Sequence, residues 1–418
     1  MKLSTLKGMV DIFPPEISYW QKLEDEVRKY AHLYSYGEIR TPILEKTELF
    51  LRGVGETTDI VNKEMYSFQD KGKRSVTMRP EGTASVVRSL IQHNLISPSK
   101  IGRYSYIGPM FRYERPQKGR QRQFHQFGME AINSISPMLD VEIISIAMDI
   151  FSSIGLKNLK LKLNSVGCKK CIPSYKERLK EYFLNSENLC KDCQTRVEKN
   201  PLRILDCKNK NCASFNEDVP KREDYLCDEC LDHFRDVKIG LETIKLPYYI
   251  DDKLVRGLDY YTKTAFEITT AGLGSQDSIG GGGRYDNLFT ELGGGEVPSV
   301  GFASGMERVI IALQSQNSIP PVLTPHVYIT IMSKNESIYG SRIGKILRDN
   351  NISTQIDLSF RKAKHQFKAA SESGAKYTVI IGETEVNNST VSIKNMEKRT
   401  QITLPINEMV DKITLNEI

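Results

Sequence analysis

The sequence predicts an α+β chain with a cysteine-rich insertion in its first domain and a small α/β domain at its C-terminus. Three observations carry this. Gly108–Glu130 reads GPMFRYERPQKGRQRQFHQFGME, a strand, a basic loop and a returning strand. All eight cysteines fall between 168 and 230. From Val327 onward, strand and helix patterns alternate.

The composition bounds the class. A length of 418 residues allows two or three domains with sizeable cores. Hydrophobic residues make up 39% and charged residues 26%, the balance of a soluble globular protein. The net charge of +6 accommodates an RNA partner without requiring one. No window approaches ~18 uncharged apolar residues, so no membrane span or membrane partner is expected. Met1–Gly8 lacks the apolar run of a signal peptide. A cytoplasmic location with reduced thiols is the expectation.

Along the chain, Ile17–Leu33 has helical apolar spacing through Trp20, Leu23, Val27, Tyr30 and Ala31. Tyr36–Leu44 follows as an extended segment ending in Thr41-Pro42-Ile43. Met78–Thr83 closes a strand and opens an apolar helix over Ala84–Leu90, with Thr83 placed to cap it. In the hairpin, Phe111–Glu114 sit on the first strand. Arg115, Gln117, Lys118, Arg120 and Arg122 occupy a loop broken by Pro116 and Gly119. Alternation on the return strand puts Gln126, Gly128 and Glu130 on one face. Arg112, Gln126 and Glu130 are thereby gathered over one pocket, a cation, an amide and a carboxylate suited to a zwitterion plus phosphate. The basic loop suits a phosphodiester backbone. His125 points to the opposite face, which favours a structural role over that of a base.

Residues 140–158 read as a helix and Lys160–Val166 as a strand. Residues 167–233 are polar and rich in Lys and Glu, an insertion with its own small core. Residues 245–312 return to strand-like and Gly-rich patterns. Ser315–Pro325, with Pro320, Pro321 and Pro325, reads as a linker between a first domain at 1–320 and a second at 326–418. The second domain alternates through Val327–Met332, Ser337–Asn350, Ser353–Asp357, Arg361–Glu372 and Tyr377–Ile381, then a hairpin and a terminal helix. A largely parallel sheet is expected there.

Further strings carry chemistry. Leu254–Tyr261 reads LVRGLDYY and offers the forked cation of Arg256 beside Tyr260 and Tyr261. Ile279–Leu288 reads IGGGGRYDNL, a glycine run that lets backbone approach a ligand closely. Val300–Arg308 reads VGFASGMER and places Arg308 one turn into an apolar helix, where an unpaired Arg is rare.

With these strings assembled, the chain resembles the class II aminoacyl-tRNA synthetases, in the form of the histidyl-tRNA synthetases. Gly108–Glu130 resembles motif 2, the 17–44 segment motif 1 and Val300–Arg308 motif 3. The resemblance implies an antiparallel sheet flanked by helices, a homodimer, and a C-terminal anticodon-binding domain. It implies ATP-dependent ligation of L-histidine to tRNA(His), with ATP as substrate and Mg²⁺ as cofactor. It places Glu81, Gly82 and Thr83 at the substrate's α-amino group and Gln126 beside the same amino acid. It places Glu130 and Tyr261, next to Tyr260, at the imidazole. Arg256 falls between the substrate carboxylate and the ATP α-phosphate, Arg112 on that phosphate, and Arg308 near the distal phosphates and adenine. Arg115, Gln117 and Arg122 become candidates for tRNA contact. In the second domain, Lys364 and Lys368 share a helix face that suits RNA.

The cysteines come as Cys168-x2-Cys171, Cys190-x2-Cys193, Cys207-x4-Cys212 and Cys227-x2-Cys230. Short-spaced pairs in a cytosolic protein signal tetrahedral, structural Zn²⁺. Eight thiolates fill two four-cysteine sites, or one with spares; reduced structural cysteines are the alternative. Two rival functions stand beside the main reading. One is the synthetase-like regulatory subunit of ATP phosphoribosyltransferase, which lacks the second domain and loses active-site residues. The other is a class II enzyme for another amino acid, against which the strings at 254–261 and 279–288 argue.

Overall fold

The structure, a computed structural model, describes all residues except 1–2, 56–57, 98, 185, 187–188, 208, 210, 213–218, 274–276 and 318–323. The chain divides into two compact units, 1–320 and 321–418. Most of the Pro-rich stretch expected as a linker lies outside the described residues.

The first unit is built on an eight-stranded sheet. Its strands are β1 (Gly37–Glu38), β5 (Gly102–Phe111), β6 (Gln123–Ile132), β7 (Lys160–Ser165), β8 (Tyr249–Ile250), β9 (Thr262–Thr269), β10 (Ser278–Arg284) and β11 (Ser299–Gly305). Their order is β1-β5-β6-β11-β10-β9-β7-β8. Only the outermost pairs, β1 with β5 and β7 with β8, are parallel. A three-stranded sheet lies apart, formed by β2 (Leu44–Lys46), β3 (Tyr66–Gln69) and β4 (Ser75–Met78).

One face of the large sheet packs on helices Ile17–Leu33, Pro137–Ser153 and Met306–Ser315, through Trp20, Leu23, Ile143, Ile150, Val309 and Phe302. The first helix has the predicted limits because its buried residues Trp20, Leu23, Val27 and Ala31 keep the 3–4 spacing of one face. The second starts at Pro137, with Ser136 accepting from the Met138 amide. The other face packs on helix Thr83–Gln92 through Val86, Val87, Leu90 and Tyr106.

The expected strand over Tyr36–Leu44 is broken. Only Gly37–Glu38 and, further on, Leu44–Lys46 pair. Pro42 has no N–H to give a ladder, and Ile39 and Arg79 bond around it instead. The strand of the hairpin ends at Phe111, so Arg112–Glu114 belong to the loop. Thr83 does not cap its helix. Glu81 does, its carboxylate accepting from the amides of Thr83 at 2.7 Å and Ala84 at 2.8 Å.

The insertion has its own core of Tyr175, Leu179, Phe183, Val197 and Ile204. Its last helix, Asp228–Thr243, outruns the expected boundary, because Phe234, Val237 and Leu241 belong to the main core.

The second unit holds β12 (Val327–Ile331), β13 (Thr354–Ile356), β14 (Tyr377–Ile381), β15 (Thr390–Asn395) and β16 (Gln401–Pro405), ordered β13-β12-β14-β15-β16. The first three are parallel, while β15 and β16 add antiparallel strands, so the sheet is mixed. Among the described helices, none is long and apolar enough to cross a membrane.

Candidate active site

A cavity of about 480 Å³ opens on the large sheet. Strand β6 brings Gln126 to it, the start of helix Thr83–Gln92 brings Glu81 and Thr83, and the Leu254–Tyr261 segment brings Arg256, Tyr260 and Tyr261. Arg112 and Arg308 complete a ring of cations.

The arginines are held in distinct ways. Arg112 donates through Nε to the Pro80 carbonyl at 2.9 Å, and its guanidinium lies 5.1 Å from the Phe124 ring centroid. Arg308 donates through Nε to the Ser278 carbonyl at 2.6 Å. Arg256 pairs with Glu267 at 3.2 Å and faces the Tyr261 ring at 5.8 Å. Its Nε is buried without a hydrogen-bond partner, and so is Oε1 of Gln126. Buried polar atoms left unpaired in a cavity call for a ligand.

The glycine run explains how Arg256 enters. A Cβ at Gly281 would sit 2.5 Å from Nη1 of Arg256. At Gly282 it would meet the Gly301 carbonyl at 2.0 Å, so the rest of the run serves strand packing.

Glu130 lies behind the cavity rather than in its lining. It accepts from Thr83 Oγ1 at 2.7 Å and from Tyr285 Oη at 2.6 Å, and is 1% exposed. Burial pushes its carboxyl up to about 8, against the lowering effect of the two hydroxyls. Gly82 does not line the cavity either. A Cβ there would strike the Tyr106 ring at 2.4 Å, so its glycine serves packing. Burial also raises Glu81, against its two amide donors.

His125 is turned away, as its strand face predicts. Its amide donates to Glu307 at 2.9 Å, and its ring stacks edge-on with Trp20 at 4.9 Å. Arg284 does not enter the cavity. It is fully buried in an ion pair with Asp140 at 2.7 Å, and the same carboxylate lies 3.1 Å from His233 Nε2. In the hairpin loop, Arg115 and Gln117 are exposed, while Arg122 stacks on Tyr113 at 3.7 Å.

Sequence reasoning missed Glu267 and Tyr285 as site residues. Glu267 is the one carboxylate in the Thr- and apolar-rich run TKTAFEIT, which was a usable signal. Tyr285 stood in a quoted string, but only the tertiary structure points its hydroxyl at Glu130.

The cysteine sulfurs converge in two groups, Cys168, Cys171, Cys227 and Cys230, and Cys190, Cys193, Cys207 and Cys212, each within 4.8 Å. The pairing is nested, outer with outer and inner with inner. Sulfur separations of 3.6 Å for Cys168–Cys171 and 3.9 Å for Cys168–Cys227 and Cys190–Cys207 are far too long for disulfides. A tetrahedron with metal–sulfur bonds of ~2.3 Å has edges of ~3.8 Å, so the donor set fits a tetrahedral metal. Amides of Lys170, Cys190 and Cys227 point at sulfurs of the two groups.

An antiparallel sheet bearing a cavity ringed by arginines, with a carboxylate and an amide at its floor, is the architecture of a class II aminoacyl-tRNA synthetase. The family profile described as "Histidyl-tRNA synthetase" matches residues 8–181 and 201–309, and an "Anticodon binding domain" profile matches 326–416. The chain belongs to the histidyl-tRNA synthetase family. It is 46% identical over 415 residues to the histidine–tRNA ligase of Halothermothrix orenii, covering 99% of both chains. It is 48% identical over 404 residues to that of Thermotoga maritima, covering 96% of each. The crystal structure of the apo histidyl-tRNA synthetase of S. aureus superposes with a TM-score of 0.82 at 36% identity, covering 99% of this chain and 100% of that one.

Proposed function

We propose that the chain ligates L-histidine to tRNA(His) in two steps, through a histidyl-adenylate. The observation that carries this reading is one cavity lined by Arg112, Arg308, Arg256 and Gln126, the last two of which each hold a buried polar atom without a hydrogen-bond partner, Arg256 Nε and Gln126 Oε1. In the first step the histidine carboxylate attacks the ATP α-phosphate and pyrophosphate leaves. The nucleophile is already anionic, so alignment and cations, not a strong base, set the rate. Arg256 bridges the carboxylate and the α-phosphate, Arg112 holds the α-phosphate, and Arg308 the distal phosphates. Mg²⁺ supplies neutralisation of the outer phosphates; Glu114 and Asp277, both lining the cavity, are oxygen donors of the kind it takes.

Glu81, Thr83 and Gln126 receive the α-amino end. Tyr261, beside Tyr260, reads the imidazole, and Glu130 acts on it from behind the lining, through the Thr83 hydroxyl that donates to this carboxylate at 2.7 Å. An analogue lacking the ring nitrogens leaves these groups unpaired and is rejected. In the second step a hydroxyl of the tRNA's terminal ribose takes the acyl group as an ester, and AMP leaves. Arg115, Gln117 and Arg122 meet its backbone, and the 326–418 domain meets the anticodon. The 1–320 domain acts as a homodimer in the cytoplasm, and the two four-cysteine groups hold structural Zn²⁺. The regulatory-subunit reading loses ground because the chain retains its arginines and a match to the anticodon-binding domain.

ATP–pyrophosphate exchange with each amino acid in turn tests the proposal. Exchange with histidine alone supports it; no exchange from folded protein overturns it.

A further inference from the structure

Between Arg256 and the Tyr260–Tyr261 pair runs a strap, residues 257–259, outside any helix or strand. Little packs against its start: a Cβ built on Gly257 meets nothing within 4 Å. Leu258 packs on the hydrophobic clusters of helices Thr83–Gln92 and Thr47–Val54, and Arg203 of the insertion reaches the strap's polar groups. Arg203 Nη2 donates to the Gly257 carbonyl at 2.9 Å and to Asp259 Oδ1 at 3.0 Å. The Asp259 amide donates to the Val54 carbonyl at 3.2 Å on the far side.

Arg203 sits in the 3-10 turn Pro201–Ile204. The inner cysteines bracket that turn. Cys190 and Cys193 precede it, Cys207 and Cys212 follow it, and their sulfurs close the loop through the Cys190–Cys207 approach of 3.9 Å. Cys193 and Cys212 are buried in the insertion core with Ile204 and Leu205, and Val255 of the segment before the strap packs on that core. Leu205 and Asp206 then line the active-site cavity itself. Small polar modules of this kind gain their order from metal. The family profile skips residues 182–200, where Cys190 and Cys193 lie, and resumes at 201, so that Arg203, Cys207 and Cys212 fall within its match.

We propose that the inner four-cysteine site, loaded with Zn²⁺, positions the histidine pocket: it fixes the 201–204 turn, and Arg203 from that turn fixes the 257–259 strap beneath Tyr260 and Tyr261. Arg203 is a positioning residue that touches no substrate. The inference rests on the histidine-ligating reading of the same cavity.

The test uses the full-length protein, zinc content by mass spectrometry, and pyrophosphate exchange resolved into kcat and into KM for histidine and for ATP. The expected content is two zinc ions per chain in wild type, one for each four-cysteine group, and one each in C190S/C207S and C168S/C230S. R203A keeps both ions, yet raises KM for histidine about tenfold, as loss of a charge-assisted hydrogen bond does, and leaves kcat and KM for ATP unmoved. R203K recovers part of the loss. C190S/C207S reproduces the R203A defect, and the combined variant adds nothing further. A normal histidine KM in R203A, an inner-site variant that loses zinc without a KM change, or wild type with an inner site that takes up no zinc overturns the inference. Should C190S/C207S fail to fold, R203A and R203K decide it. Exchange with histidine but an unmoved KM sinks this inference alone, whereas no exchange at all sinks the proposed function with it.

Discussion

Gly281 and Arg256 occupy one space: the Cβ that any other residue would bring to 281 falls 2.5 Å from Nη1 of Arg256 and 2.7 Å from the Phe266 carbonyl. The guanidinium can shift, whereas the carbonyl contact remains and strains the strand. Gly281→Ala is expected to lower the melting midpoint and to lower kcat/KM for pyrophosphate exchange on the order of 100-fold, the usual result of a small misplacement of a reacting group. A near-normal melting profile with near-normal exchange would show that Arg256 does not need this place.

Arg256→Lys is expected to fail nearly as badly as Arg256→Ala. One ammonium cannot hold Glu267 at 3.2 Å and still present a fork to carboxylate and phosphate. Each variant should lose about 100-fold or more in kcat. Steady-state exchange at saturating histidine and ATP measures this, and a Lys variant close to wild type would contradict the bridging role.

Glu130 supplies a pH signature. Its folded value of about 8 lies above its ordinary 4.5. Between these values the folded chain keeps a proton that the unfolded chain has lost. The stability contributed by this group is therefore full below about 4.5 and is lost as pH rises through about 8. Glu130→Gln, which mimics the protonated form, should flatten that fall in urea midpoints. Parallel profiles for the two proteins would remove Glu130 as the cause.

Asp140 and Arg284 form a fully buried pair at 2.7 Å; burial pushes the Asp140 carboxyl up, but Arg284 and His233 outweigh it and hold the carboxyl below its usual range. Asp140→Ala strands the guanidinium, at a cost of about 3–5 kcal/mol in urea unfolding. A loss below about 1 kcal/mol would mean that the Ser134 and Ser136 carbonyls suffice to hold Arg284.

Zinc bound at the two four-cysteine groups is expected to add to stability. A ligand at about a thousand times its Kd adds ~4 kcal/mol to the folded state. Chelation should lower the thermal midpoint and re-added zinc should restore it. An unchanged midpoint after metal is stripped would return the eight cysteines to the reduced structural reading.

Much of this was legible in one dimension. Ile17–Leu33 announces a helix because burial follows its 3–4 spacing, and Gly108–Glu130 announces a hairpin because Pro116 and Gly119 interrupt two alternating runs. Arg112, Arg256, Gln126 and Arg308 stand in strings distinctive enough to name a family. The paired cysteines announce candidate metal sites by spacing, since ligand type is local. Partners are not local. That Glu130 binds Thr83 and Tyr285, that Arg284 turns to Asp140, and that Glu81 rather than Thr83 caps its helix depend on residues brought together across the sheet. The nested pairing of the cysteines and the reach of Arg203 to Gly257 likewise depend on chain closure over tens of residues. Spacing along a chain determines which face a side chain takes, but only packing decides what stands opposite it.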